Sequence, residues 1–405
     1  MTIRQTNKIK PKQKAGILWI CAAISVYSLN LIAIGPVVAR IIVERGIANT
    51  EAGLMFTSHF IGFIIFSLIG AILAEKVGKK RIIVHSLFIF GFGFLMFSIF
   101  DIFWLECLIM FVLGGAGGIV ECLGSSLAAD INPQNPEYAV NRVQIFFSVG
   151  AMLSPLLIAL SILFVPFWKV FYMVLALYSF IVAFFMGKAK IEVQMEGEST
   201  QFKLRDLRTI VKEPGFIIMC FCMLAYTGSE VGVWGWLTAL IQQTSTLSIF
   251  QSSLFVSLFW LFMGIGRVIS GWLLPRLGAK KTVAILAAIS AILTLATGLF
   301  ANSNSLIWLI AGIGLGCSSQ FPLITGIGSR LTTLPSGVAI TILMVSGNIG
   351  SSLIPLTMGA IGDTAGLEKS LIIPVIMFSI ICLVMIVFTI RKVKAIQYKQ
   401  EVENG

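Results

Sequence analysis

Gly70-Ala71-Ile72-Leu73-Ala74-Glu75-Lys76-Val77-Gly78-Lys79-Lys80-Arg81 returns later in the chain as Gly271-Trp272-Leu273-Leu274-Pro275-Arg276-Leu277-Gly278-Ala279-Lys280-Lys281. Leu73 answers to Leu273, Gly78 to Gly278 and Lys80 to Lys280, always 200 residues apart. The same offset pairs Gly150 and Pro155 with Gly350 and Pro355, and sets Asn30 and Gly35 over Glu230 and Gly235. The protein is therefore written twice, and its fold should be two copies of one unit.

What kind of unit follows from composition. Of 405 residues, 57% are hydrophobic and 12% charged, against about 25% charged in a soluble domain. Crossing a bilayer as a helix takes about 20 predominantly apolar residues. Such segments fall at roughly 15–39, 52–75, 82–100, 104–127, 138–164 and 167–187, then at roughly 215–241, 249–275, 282–301, 305–329, 336–361 and 370–390. The expected fold is all-α, with twelve transmembrane helices in two pseudo-symmetric six-helix bundles. Residues 1–187 would form the first bundle, 188–214 a charged cytoplasmic linker, and 215–405 the second bundle with a short tail.

The charges fit this segmentation. Arg40, Arg45, Lys169 and Lys369 fall in one set of loops, and Arg267 lies inside a span. The remaining lysines and arginines, of 29 in all, occupy the alternate loops and both termini. Excess positive charge marks the cytoplasmic side, so both termini are expected there, in the cell membrane. The net charge of +11 therefore reflects topology and does not point to nucleic acid. The seven cysteines are scattered through the spans without a metal or redox spacing, and no cofactor other than a coupling ion is expected.

Parallel six-span repeats are the architecture of major facilitator transporters, and the two quoted loops resemble that superfamily's signature between spans 2 and 3. Glu75 stands where the signature usually has Asp, and Ala71 where it usually has Gly. The resemblance implies a cytoplasmic latch involving Glu75, Lys79 and Lys80. Four further segments resemble the fucose/galactose/glucose:proton symporter family: Gly114-Gly115-Ala116-Gly117-Gly118-Ile119-Val120-Glu121, Asn141-Arg142-Val143-Gln144, Gly228-Ser229-Glu230, and Gly312 through Pro322. By that resemblance Glu121 contacts sugar and takes part in proton coupling, and Gln144 contacts substrate. The fucose symporter carries a further carboxylate in span 1, where this chain offers only Asn30.

The intramembrane polar residues carry the rest of the argument. A carboxylate at mid-membrane depth costs about 2.5–3.5 kcal/mol on insertion scales, so it marks a pathway or a tie. Glu121 and Glu230 are the two such acids. Gln144 and Asn141 lie one turn apart on one helix face, and amides match hydroxylated solutes because each both donates and accepts. They serve equally well as helix–helix glue, as do Gln320 and Asn348. Trp234 could stack on a sugar ring, while Trp236 reads as part of an interfacial aromatic belt. His59 is a candidate titrating group, and Arg267 needs a partner, which makes it a gating or structural ion pair.

No nucleophile with a partner base and no phosphate loop is present, so an enzyme or an ATP-driven pump is not expected. The expected protein is a monomeric secondary transporter in the lipid bilayer, moving a small solute, by preference a sugar, with a proton or sodium gradient. A drug or metabolite exporter is the first rival. The run Gly150-Ala151-Met152-Leu153-Ser154-Pro155 lacks the trailing glycines that such exporters often carry. A transporter-like sensor without flux is the second.

Overall fold

The computed structural model describes residues 11–132, 136–164, 167–189, 191, 213–300, 305–334 and 336–404. The expected linker lies outside the described residues apart from its ends. Bilayer hydrocarbon offers no hydrogen bonds to a backbone, so a spanning chain must satisfy itself as helix or closed barrel. The first half runs α1 (Pro11–Arg45), α2 (Asn49–Val77), α3 (Lys79–Ile99), α4 (Phe103–Ile131), α5 (Pro136–Phe164) and α6 (Val170–Lys188). The second runs α7 (Pro214–Thr244), α8 (Ile249–Leu277), α9 (Ala279–Leu299), α10 (Leu306–Cys317), α11 (Gln320–Gly328), α12 (Ser336–Ala365), α13 (Leu367–Ser370) and α14 (Ile372–Asn404). Among the described residues, twelve stretches are long and apolar enough to cross a membrane, α10 and α11 together making the tenth.

The repeat seen in the sequence is a repeat in geometry. Gly78 alone separates α2 from α3, and Gly278 alone separates α8 from α9, with φ of 94° and 75°. Only glycine enters that left-handed region without steric cost, which is why both copies keep it. One turn further, Lys80 Nζ donates to the carbonyls of Gly187 (2.8 Å) and Ala189 (2.7 Å) at the end of α6. Lys280 Nζ donates likewise to the Phe388 carbonyl of α14 at 3.2 Å. Lys80 thereby meets carbonyls that a helix C-terminus leaves unsatisfied, whereas Phe388 lies within α14.

The chain divides into two compact units, Met1–Ala33 with Ser58–Glu198 and Ile34–Thr57 with Ser199–Gly405. The division differs from the expected bundles in one place: the tip of the α1–α2 hairpin belongs to the second unit. Close approach explains why. A β-carbon on Gly35 would sit 2.8 Å from the Gly235 carbonyl oxygen, and one on Gly53 would sit 3.2 Å from Leu356 Cα. Asp363 of α12 then accepts the backbone N–H groups of Asn49 (2.7 Å) and Thr50 (2.8 Å). These are orphan donors at the start of α2, where a carboxylate also meets the favourable end of the helix dipole.

Candidate functional site

Each unit holds a polar centre of its own. In the first unit, the glycine run of α4 decides who meets Glu121. Gly114 lies against the His59 carbonyl, Gly118 against the Phe63 carbonyl, and Gly117 against the Tyr27 ring. Small residues at such spacing let membrane helices approach at backbone distance. The approach brings Tyr27 of α1 and His59 of α2 beside α4, one turn below the acid. Tyr27 and His59 lie parallel, with ring centroids 6.2 Å apart, and Tyr27 is within electrostatic reach of Glu121.

Gln144 of α5 donates its Nε2 to Glu121 Oε1 at 2.7 Å, so the two residues named from the sequence meet as a pair. The second carboxylate oxygen is buried with no hydrogen-bond partner among the described residues. The same holds for both ring nitrogens of His59 and both amide atoms of Asn30, each fully buried. Leaving a buried polar group unsatisfied costs about 1–3 kcal/mol. Such groups stand on three helices of this unit, Asn30 on α1, His59 on α2 and Glu121 on α4. The Asn141 side chain lies outside the described residues.

The second unit treats its acid differently. Tyr226 stands one turn before Glu230 on α7, and it and Arg267 of α8 lie within electrostatic reach of the carboxylate. Arg267 Nε also donates to the Ser318 carbonyl at 3.1 Å, and the Tyr226 hydroxyl to the Cys317 carbonyl at 2.7 Å. Gln320 is fully buried, its Nε2 donating to the Gly316 carbonyl (2.9 Å) and the Ser290 hydroxyl (3.1 Å). Asn348 folds back on its own helix, donating to the Met344 carbonyl at 2.9 Å.

The tryptophans differ from expectation. Trp234 is buried, set between Phe56 and Trp260 with ring centroids 6.3 Å from each, so its faces are used in packing. Trp236 is equally buried, and its indole N–H donates to the Pro355 carbonyl at 2.8 Å. It is an interhelical tie, not part of an interfacial belt. The reason is the hairpin tip, which places Phe56 beside both rings.

At the loop between α2 and α3, Glu75 is exposed, while Lys79 forms a 2.6 Å ion pair with Asp130 of α4 and donates to the Ser126 hydroxyl at 2.7 Å. Asp130 and Tyr27 were not picked out by the sequence. Tyr27 stands three residues before Asn30, on the same helix face, and that spacing was the available signal.

The family model described as Major Facilitator Superfamily matches residues 18–335 and 219–404. A protein named Protein TsgA homolog from Buchnera aphidicola is 25% identical over 291 residues, covering 71% of this chain and 73% of that protein. Its namesake from Yersinia enterocolitica is 23% identical over 329 residues, covering 78% and 80%. Among solved structures, the E. coli fucose:proton symporter superposes with a TM-score of 0.64 at 19% identity, over 93% of this chain and 98% of that one. A bacterial homolog of the human lysosomal transporter Spinster gives 0.76 at 14%, over 93% and 96%. Identities this low speak to the fold alone. By its family match and its twelve spans, this chain belongs to the Major Facilitator Superfamily, and it is a transporter rather than an enzyme.

Proposed function

We propose that the protein is a secondary active transporter of the cell membrane, with both termini cytoplasmic, that takes up a small polyhydroxylated solute, by preference a sugar. Transport runs by alternating access and is coupled to a proton or sodium gradient. The observation that carries this reading is the Glu121–Gln144 pair. One carboxylate oxygen is held by an amide, and the other is left unpartnered beside Tyr27.

The chemistry follows from the donor inventory. Gln144 and Asn30 each supply donors and acceptors, and His59 supplies one of each when neutral. A solute rich in hydroxyls satisfies such groups without bringing charge into the membrane. Tyr27 adds an aromatic face. A carboxylic acid in this setting exchanges a proton as the site fills and empties, which ties solute to gradient. The fold-level likeness to a fucose:proton symporter and to a D-xylose-proton symporter agrees with this reading. At the cytoplasmic loop, the Lys79–Asp130 pair and Lys80 on α6 serve as the latch, with Glu75 at its edge.

The test is uptake into proteoliposomes of purified protein, with a panel of sugars, amino acids and organic acids, under separately imposed pH and sodium gradients. Accumulation of a neutral hydroxylated solute under one gradient is the expected result. Accumulation confined to charged solutes, or no flux under either gradient, overturns the reading.

A further inference from the structure

The tenth span is broken, and the break has a chemical cause. Pro322 has no N–H, and its ring excludes the carbonyl four residues earlier, that of Ser318. The helix therefore ends at Cys317 and restarts at Gln320. Three carbonyls in the gap lose their helical donors, and each is taken by a side chain: Gly316 by Gln320, Cys317 by Tyr226, Ser318 by Arg267. Two of those donors, Tyr226 one turn before Glu230 on α7 and Arg267 on α8, also lie within electrostatic reach of Glu230.

We propose that Tyr226 and Arg267 form a clamp on this break whose grip is set by the protonation of Glu230. A phenol has a single O–H to donate. Two acceptors face it, the Cys317 carbonyl and the Glu230 carboxylate. While Glu230 is protonated it donates to the phenol oxygen, and Tyr226 keeps its own proton on Cys317. Once Glu230 is ionised it is the stronger acceptor, because hydrogen bonds to charged groups are about twice as strong as neutral ones. Tyr226 then turns to Glu230, and the Arg267 guanidinium is drawn the same way, off Ser318. The Cys317 and Ser318 carbonyls are released together, and the two half-helices become free to move.

The charged and titratable side chains that face Glu230 are Tyr226 on its own helix, Arg267 on α8 and Cys317 on α10. The inference rests on the proposed transport role only for its purpose, since the clamp itself needs neither solute nor gradient.

The test is backbone amide exchange of residues 316–324 in nanodiscs, corrected for the intrinsic rate and referenced to the unbroken α9. In the wild type, protection falls roughly tenfold between about pH 5 and pH 9, the scale of losing hydrogen bonds of this kind. Glu230→Gln, whose amide donates to the phenol at every pH, stays protected throughout. Tyr226→Phe is unprotected throughout, and Pro322→Ala, which returns an N–H to Ser318, is protected throughout. A flat wild-type profile, or a wild-type response surviving in Tyr226→Phe or Glu230→Gln, overturns the clamp. A pH response in a protein that moves no solute would sink the transport reading and leave the clamp standing.

Discussion

Glu121 and Glu230 are both acids in membrane helices, yet their surroundings are opposite. Glu121 meets an amide on one oxygen and nothing on the other, with Asn30 and His59 unsatisfied on neighbouring helices. Glu230 meets a phenol and a guanidinium that are themselves anchored on carbonyls. The first centre leaves a carboxylate oxygen short of partners, while in the second the groups around the carboxylate are tied to backbone carbonyls, with Gln320 Oε1 left unpartnered among the described residues. A centre short of partners gains most from a guest, and a tied one gains most from keeping its network. On the readings proposed above, the first copy receives a solute and the second regulates a helix break.

The sharpest way to break that contrast is Glu121→Gln. It should reduce gradient-driven accumulation to simple equilibration, while solute counterflow persists, because the amide still accepts and donates but cannot release a proton. Full accumulation by this variant would remove Glu121 from coupling. Next in size is Gln144→Leu, which strips the carboxylate of its remaining partner. Loss of one buried hydrogen bond to a charged group is worth about 1.5–3 kcal/mol, so the apparent affinity for solute should fall at least tenfold, measured as KM in the same vesicles.

His59→Leu separates guest from glue. Removing a buried, unpartnered ring should leave thermal stability equal or higher, while solute affinity falls several-fold. A drop in Tm with unchanged affinity would mean that His59 serves packing. In the second unit the reverse is expected. Trp236→Phe loses the bond to the Pro355 carbonyl, where interhelical hydrogen bonds average about 0.6 kcal/mol and reach about 1–2. A small fall in Tm with transport unaltered is the expected outcome.

How far these centres can be read from the residues depends on whether a signal is local. The two one-glycine turns and their lysines were legible because turn chemistry and charge repeat at a fixed offset, and Lys80 and Lys280 each donate to a carbonyl of the last spanning helix of their own half. Glu121 and Gln144 stood out because polar groups are rare in lipid. Their pairing joins α4 to α5, a consequence of packing and not of spacing. Tyr27 was missed because one aromatic in an apolar helix looks like core. Asp130 was missed because an acid near a helix end looks like a solvated residue. The tryptophans were misjudged for a related reason: whether an aromatic near a span end faces lipid or protein depends on a distant hairpin, here the one carrying Phe56.

A third carboxylate supplies the baseline for both centres. Glu213, at the mouth of α7 and outside the spans, is held below the ordinary glutamate range first by the Thr332 hydroxyl and then by the Thr333 backbone N–H. The Thr333 hydroxyl also donates to it at 2.7 Å. A carboxyl whose folded value is depressed adds stability above its unfolded value of about 4.3 and loses it as pH falls through the folded value. Solvent screens so exposed a group, so its effect is the smallest of the set. Glu213→Gln should flatten only the acid end of a plot of Tm against pH, below about pH 4.3. Any pH dependence of transport or of amide exchange above about pH 5 must then come from elsewhere. If Glu213→Gln altered the profile near neutrality, the assignment of that range to the buried acids would fail, and with it the contrast between the two halves.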